Sequence, residues 1–598
     1  MNSCTSVSIG GLNFFSLAII VSVLSAASPV TAAEPLHLTL APNSPPLAQL
    51  NVPRLHEEIA EHALSGNGLV LVPESGPYDW TSDGAFRLRV EVDATRFEHG
   101  ILTIWNWNNE AIQQRRIIAG EPGVIDLAVD GFGSYLLTLD GFLDGEYRKR
   151  LIRNLAVTRD LNSARETWKT DEFFLGICTF PGRYHWTPGG EPTLPAGLSE
   201  NEARNLEAGM MARVGFQVVR VDESLEMGRR ESGEYLFDSK RMDAAVEAYT
   251  SRGFELGLQL MNAADWAVAE KYAEVTEHRW RYPHEEAAQR AYIAALLERY
   301  GESARFVQIF NEPDQVEFWS GTPDEFIEQF QFSRDQIQSD FPDVPIANGG
   351  YAFVDVEKTK YFVEALHPLV DHPAYHAHGE LSGMIENFEL LQQQHRSVGV
   401  ESAKWVNTET GFDAWRLDQE RRQAQSVAQK VLYCWAHDHV GVMLFCGRMT
   451  RGPGREGRDL GLVDYQFCPR FAYGAVSGLV SVLEAASLLI GITDRNSLFQ
   501  GLLIGASVLL GLRGCSFDAW RLDQERRQAQ SVAQKVLYCW AHDHVGVMLF
   551  CGRMTRGPGR EGRDLGLVDY QFCPRFAYGA VSGLVSVLEA ASLLIGIN

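Results

Sequence analysis

Two glutamates in two short strings could do chemistry in this chain: Glu312 in Asn311-Glu312-Pro313 and Glu409 in Thr408-Glu409-Thr410-Gly411. Each string follows an apolar, strand-like run, Phe306–Phe310 before the first and Lys404–Asn407 before the second. In a (β/α)8 barrel the C-terminal end of a strand is the catalytic face. Two carboxylates facing each other across a pocket there can hydrolyse a glycosidic bond. One must stay protonated to donate to the leaving oxygen, which burial and a second carboxylate promote. We read Glu312 as that acid/base and Glu409 as the ionised nucleophile. Asn311 can hydrogen-bond a sugar hydroxyl beside the reacting carbon, which helps most in the transition state. The plain alternative is two solvated surface glutamates. Their placement at strand ends, 97 residues apart on strands four and seven, argues against it.

The elements that must position them alternate from Phe173 onward. Strands are expected at Phe173–Thr179, Gln217–Val221, Glu255–Leu260, Phe306–Phe310, Pro345–Asn348, Pro373–Ala377, Lys404–Thr408 and Gly441–Cys446. A helical pattern follows each, from Glu200–Val214 to Pro469–Leu489. Eight such units make a closed barrel, assigned to residues 165–492. Residues 34–160 read as a β-sandwich accessory domain, with Ala85–Val92 alternating at period two and turns rich in Gly, Asp and Asn. Its Trp80, Trp105 and Trp107 form either a sugar-binding platform or core. The fold class is therefore α/β: a (β/α)8 TIM barrel, an N-terminal β-sandwich domain and an anomalous duplicated C-terminal segment.

Residues 1–33 read as a signal peptide, apolar from Gly10 to Ala27 and closing on Thr31-Ala32-Ala33. Export would make the protein secreted or periplasmic, and an uncleaved anchor is the alternative. Of the nine cysteines, six belong to duplicated pairs, so no disulfide framework can be read. A balance of 53 Lys and Arg against 77 Asp and Glu, net −24, disfavours nucleic acid as a partner.

Phe412–Ile492 recurs letter for letter as Phe517–Ile597, a shift of 105 residues over 81 positions. The first copy follows Glu409 and completes the barrel. The second, residues 517–598, finds no strand slot left in a closed sheet. Residues 493–516 between the copies are an apolar linker or the start of a β-domain.

Phe306–Pro313 and Trp405–Gly411 resemble the acid/base and nucleophile motifs of the clan A retaining glycoside hydrolases. Those are (β/α)8 enzymes with one glutamate on strand four and one on strand seven. The arrangement is nearest the β-xylosidase and α-L-iduronidase branch, and cellulase- and arabinofuranosidase-like branches share both motifs. The resemblance spans Phe173 to Ile492. It implies a carbohydrate substrate, neither metal nor organic cofactor, and the roles given above for Glu312, Asn311 and Glu409. It also places an arginine near the nucleophile at the end of strand two, here Arg220, whose alternative is a structural pair with Asp222 or Glu223. At the end of strand six it implies that Tyr375 or His376 bonds the nucleophile. The spacing of His376 and His378 could suit a metal, but two ligands alone do not make a site. Trp186, Trp266 and Trp319 follow strands one, three and four and either line sugar subsites or fill core. One departure is strand eight, where many such enzymes end on tryptophan and Phe445 is the only aromatic. Substrate preference therefore does not carry over from any branch. The alternative function is a non-catalytic carbohydrate-binding protein on a barrel scaffold.

Deleting Thr493–Asn598 is expected to preserve activity and raise soluble yield, because the second copy's apolar positions lack a complementary core. Loss of all activity with Glu312 and Glu409 intact would show that the tail belongs to the working fold.

Overall fold

The computed structural model describes residues 68–489 apart from short interruptions, the longest at 162–172, 181–193 and 449–458. The expected signal peptide, the linker and the second copy of the repeat lie outside the described residues. Among the described residues no helix is long and apolar enough to cross a membrane.

Eight strands alternate with eight helices after residue 173 among the described residues, setting aside short 3-10 turns and one hairpin. The strands are β1 Phe174–Thr179, β2 Val218–Val221, β3 Glu255–Leu260, β4 Ala304–Ile309, β5 Ile346–Ala347, β6 Ala374–His376, β7 Val406–Thr410 and β8 Gly441–Phe445. The helices are α1 Glu200–Arg213, α2 Lys240–Thr250, α3 Glu286–Tyr300, α4 Pro323–Asp340, α5 Glu357–Leu366, α6 Leu381–Ser397, α7 Leu417–Ala436 and α8 Phe471–Leu489. All the strand pairs are parallel, in the order β5-β4-β3-β2-β1-β8-β7-β6. Isolated bridges from Ala347 to His372 and from Tyr351 to Tyr375 bring the two outer edges together. The ring of strands is thereby closed.

Local chemistry starts the helices where the fold needs them. Ser199 caps α1 and Thr322 caps α4, each in a reciprocal box with the glutamate three residues on, Glu202 and Glu325. Pro323 at the first turn of α4 adds its preset φ. The barrel interior is filled by Phe174, Val218, Phe306, Ala347, Ala374, Val406 and Met443. Phe174 and Phe306 stack at 5.7 Å across it. Gly257 on β3 leaves the space Phe306 occupies, since a Cβ there would come within 2.8 Å of the ring.

The N-terminal region has two sheets. One holds Leu69–Pro73, Phe86–Val92 and Gly123–Leu127; the other holds Asp79–Trp80, His99–Trp105, Ala111–Ile118, Gly133–Leu143 and Glu146–Val157. Side chains from both, such as Leu88, Val90, Leu137 and Leu155, share one buried core, as a sandwich requires. The strands at Ala111–Ile118 and Glu146–Val157 are additions to the sequence reading. Their charged residues hide the apolar alternation. Arg150, for example, is buried against Asp140 at 2.6 Å. Trp105 is buried and donates to Thr138 at 2.9 Å, so it is core and not an exposed platform. Trp107 and the Trp80 side chain lie outside the described residues.

The sandwich also joins the barrel directly. Asn154 donates to Glu420 of α7, and Cys468 of the β8–α8 loop completes the sandwich core. Ser134 reaches the Phe471 carbonyl of α8 at 3.4 Å.

Phe306→Ala should cost about 3–5 kcal/mol, because the barrel centre cannot collapse around the lost ring. The check is urea unfolding of the variant beside the native chain. A loss below about 1 kcal/mol would contradict a filled interior.

Candidate active site

Four strand ends carry the site. Glu409 lies on β7, buried, and pairs with Arg220 at the end of β2. Arg220 also donates to Gln308 of β4 at 3.2 Å. A register break between Asn407 and Thr410 bulges β7. Bulges re-aim side chains, and here both Thr408 and Glu409 reach toward His376.

Glu312 is held differently. Phe310 and Glu312 both have left-handed backbone, with φ of 67° and 40°. Such residues cost of order 1–3 kcal/mol each and persist where their surroundings enforce them. The enforcing contacts are present. The Glu312 amide donates to the Gly349 carbonyl at 2.8 Å. The Gln308 amide donates to the carbonyls of Phe310 at 3.0 Å and Gly349 at 3.1 Å. Asp314 accepts backbone N–H groups from Ala352 and Phe353, tying the β5–α5 loop to the same turn.

His376 links the two carboxylates. Its Nδ1 lies 2.6 Å from Glu312 Oε1 and 3.7 Å from Glu409 Oε2, while Nε2 faces Thr408 Oγ1 at 3.1 Å. His378 lies 3.5 Å from Glu409 Oε2 and is partly exposed. Gln315 donates to the second oxygen of Glu312. One oxygen of Glu312 and one of Glu409 lie within 4.8 Å of each other. Burial pushes the Glu409 carboxyl up; Arg220, His376 and His378 overcome it and hold the group well below the usual carboxylate range.

Of the residues singled out from sequence, the structure brings Glu312, Glu409, Arg220 and His376 together. Asn311 is beside them, its Oδ1 accepting from Gln259 at 2.8 Å. Tyr375 is not with them. Its hydroxyl meets His439 at 2.9 Å and its ring stacks on Phe388 outside the barrel wall. Neighbours on a strand face opposite ways, so His376 facing inward sends Tyr375 outward. Trp319 is 1% exposed and packs on Phe310 and Phe326, a core role. Trp266 stacks on Tyr235 and donates to the Met227 carbonyl at 2.9 Å, bracing a hairpin, Glu226–Arg229 with Tyr235–Asp238, on the β2–α2 loop. Trp186 lies outside the described residues. Phe445 meets His378 edge-on at 5.5 Å and Phe180 at 5.2 Å, an aromatic run beside Glu409.

The glutamines were missed. Gln308 had a signal, being a polar residue at an interior position between Phe306 and Phe310. Gln259 is likewise a polar residue between two leucines near the end of β3, and Gln315 had no signal beyond proximity to the motif.

Glu312, His376 and Glu409 also offer the donor types of a metal site. Arg220 already occupies Glu409 with a full positive charge, and Gln315 occupies Glu312. A cation there would face the guanidinium, so the arrangement suits two carboxylates better than a metal.

No family model and no curated protein matches the sequence. Solved structures do. A family 39 glycoside hydrolase from the gut symbiont Bacteroides cellulosilyticus WH2 aligns with a TM-score of 0.51 at 15% identity, covering 70% of this chain and 83% of that one. A β-xylosidase from Caulobacter crescentus CB15 aligns at 16% identity and a TM-score of 0.38, covering 51% of this chain and 67% of that one. The first likeness shows that this chain shares that enzyme's fold.

Arg220→Met should raise the pH at which Glu409 takes up a proton, since burial is then opposed by the histidines alone. A carboxylate depressed in the folded state stabilises above its unfolded pKa and stops doing so as pH falls through the folded value. The acid-unfolding midpoint of the variant should therefore move to higher pH. An unchanged midpoint would contradict the pairing.

Proposed function

We propose that the chain is an exported, retaining glycoside hydrolase that cleaves O-glycosidic bonds in poly- or oligosaccharides. The observation that carries the proposal is the approach of Glu312 and Glu409 to within 4.8 Å, oxygen to oxygen, in one buried site. Retaining enzymes hold their carboxyl groups about 5–5.5 Å apart, whereas inverting enzymes leave room for a water between them. The fold shared with a family 39 glycoside hydrolase supports the same reading.

In the first step a Glu409 oxygen attacks the anomeric carbon as the bond to the leaving oxygen breaks. Glu312 gives that oxygen its proton, and a covalent glycosyl-enzyme forms. In the second step Glu312 takes a proton from water, the water oxygen attacks the same carbon, and Glu409 leaves as carboxylate. Arg220 keeps Glu409 ionised between turnovers. His376 and Gln315 orient Glu312. With its Oδ1 held by Gln259, Asn311 has its Nδ2 donor for a sugar hydroxyl. No step needs a metal or an organic cofactor.

The aryl glycoside assay separates the two glutamates. Glu409→Ala should abolish turnover, and added azide should restore it by taking the vacated place and yielding a glycosyl azide. Glu312→Ala should spare the kcat/KM of activated aryl substrates, whose first step needs no proton, and lose about 10²–10⁴-fold in kcat/KM on substrates whose leaving group needs one. A chelator should change nothing. Equal, mild losses in both variants would contradict the roles, and absence of turnover on every glycoside tested would favour a carbohydrate-binding scaffold.

A further inference from the structure

Lys430 of α7 is fully buried, and among the described residues no carboxylate lies within ion-pair distance of it. An ammonium taken out of water without a counter-ion is costly, so its oxygen partners carry the burden. Those partners are two backbone carbonyls, Ala377 at 2.9 Å and Gly411 at 3.1 Å. Ala377 follows β6 and Gly411 follows β7. Both strands lose register just before these residues, between Tyr375 and His376 and between Asn407 and Thr410. A bulge interrupts the ladder and leaves carbonyls to find other donors. The strand ends are then tied to each other by Ala377 N–H to Glu409 O at 2.9 Å, Thr410 Oγ1 to Ala377 O at 2.6 Å and Gly379 N–H to Gly411 O at 2.8 Å. The Lys430 ammonium closes this knot from behind. It touches the residue between His376 and His378, and the residue two beyond Glu409.

We propose that Lys430 is a positioning residue whose ammonium clamps the bulged ends of β6 and β7 and so sets Glu409 against His376 and His378. The inference rests on Glu409 being the nucleophile. Burial pushes Lys430 down to about 7, against the opposing pull of Cys434 one turn along α7 and Glu380 at the start of α6. Cys434 is itself pushed up by burial and stays a neutral thiol, and Glu380 is engaged by Arg422. The groups next along the chain from the clamped carbonyls are His376, His378 and Glu409. The clamp is therefore charged in mildly acid solution and weakens as pH rises past neutrality.

The test uses the full chain, an aryl glycoside with an activated leaving group, and the variants Lys430→Met, Lys430→Arg and Glu409→Ala. With that substrate the Glu312 proton does not shape the rate of bond cleavage. Lys430→Met should lower kcat about 10–100-fold with KM within about twofold, the size expected when a reacting group is misplaced by a fraction of an ångström to an ångström. Lys430→Arg, charged at every working pH, should move the alkaline limb of the kcat profile upward. A folded Lys430→Met with native kcat overturns the proposal. So does a Lys430→Arg limb that coincides with the native one, and this second reading decides the matter if the methionine variant does not fold. Turnover that survives in Glu409→Ala overturns the assignment of the nucleophile instead.

Discussion

The contact between Arg220 and Glu409 is the constraint on which the rest of the site depends. The two residues belong to β2 and β7, which are separated in the sheet by β1 and β8. Their side chains meet only because the sheet curls closed and presents both strand ends to one interior. Two buried charges are tolerated there because each finds more than one partner: Gln308 serves the guanidinium, and the two histidines serve the carboxylate. Removing one member of such a pair leaves the other uncompensated and typically costs 3–5 kcal/mol. The pair thus joins the ionisation of Glu409 to the closure of the barrel.

Glu312 is positioned by different means, and the backbone shows how. Glu409 stays on its strand and is re-aimed by a bulge, whereas Glu312 leaves its strand through a left-handed turn. Gln308 spans the two arrangements, accepting from Arg220 with its oxygen and bracing the turn with its nitrogen. One amide therefore reads the position of both carboxylates. His376 completes the circuit from the side of β6. The strain in the turn and the buried polar groups are local costs that the packed aromatic and aliphatic interior beneath them offsets.

The barrel was legible in the sequence because each of its units repeats the same pattern of an apolar run, a polar loop and an amphipathic helix. Glu312 was legible as a polar residue just past the apolar run of β4, and Glu409 as one of the polar residues that end β7. What stayed hidden depended on which way a side chain faces across an irregular strand. His376 and Tyr375 stood as equal candidates, and the pleat assigns one to the pocket and the other to the helix layer. Trp319 follows β4, yet it turns into a cluster with Phe310 and Phe326. Glu146–Val157 stayed hidden because buried Arg150 and Arg153 break the apolar pattern that a sandwich strand usually shows. Arg150 meets Asp140 directly across the hairpin from the preceding strand, a pairing that shows only once the strand register is known.

The most direct test of the account is to trap the intermediate. A 2-deoxy-2-fluoro glycoside with a good leaving group lets the first step run and slows the second, so the sugar stays on the nucleophile. Digestion and mass spectrometry of the inactivated chain should find one sugar on the peptide that carries Glu409, and the first-formed product of an ordinary substrate should keep its anomeric configuration. A sugar on another residue, or a product of inverted configuration, would contradict the account.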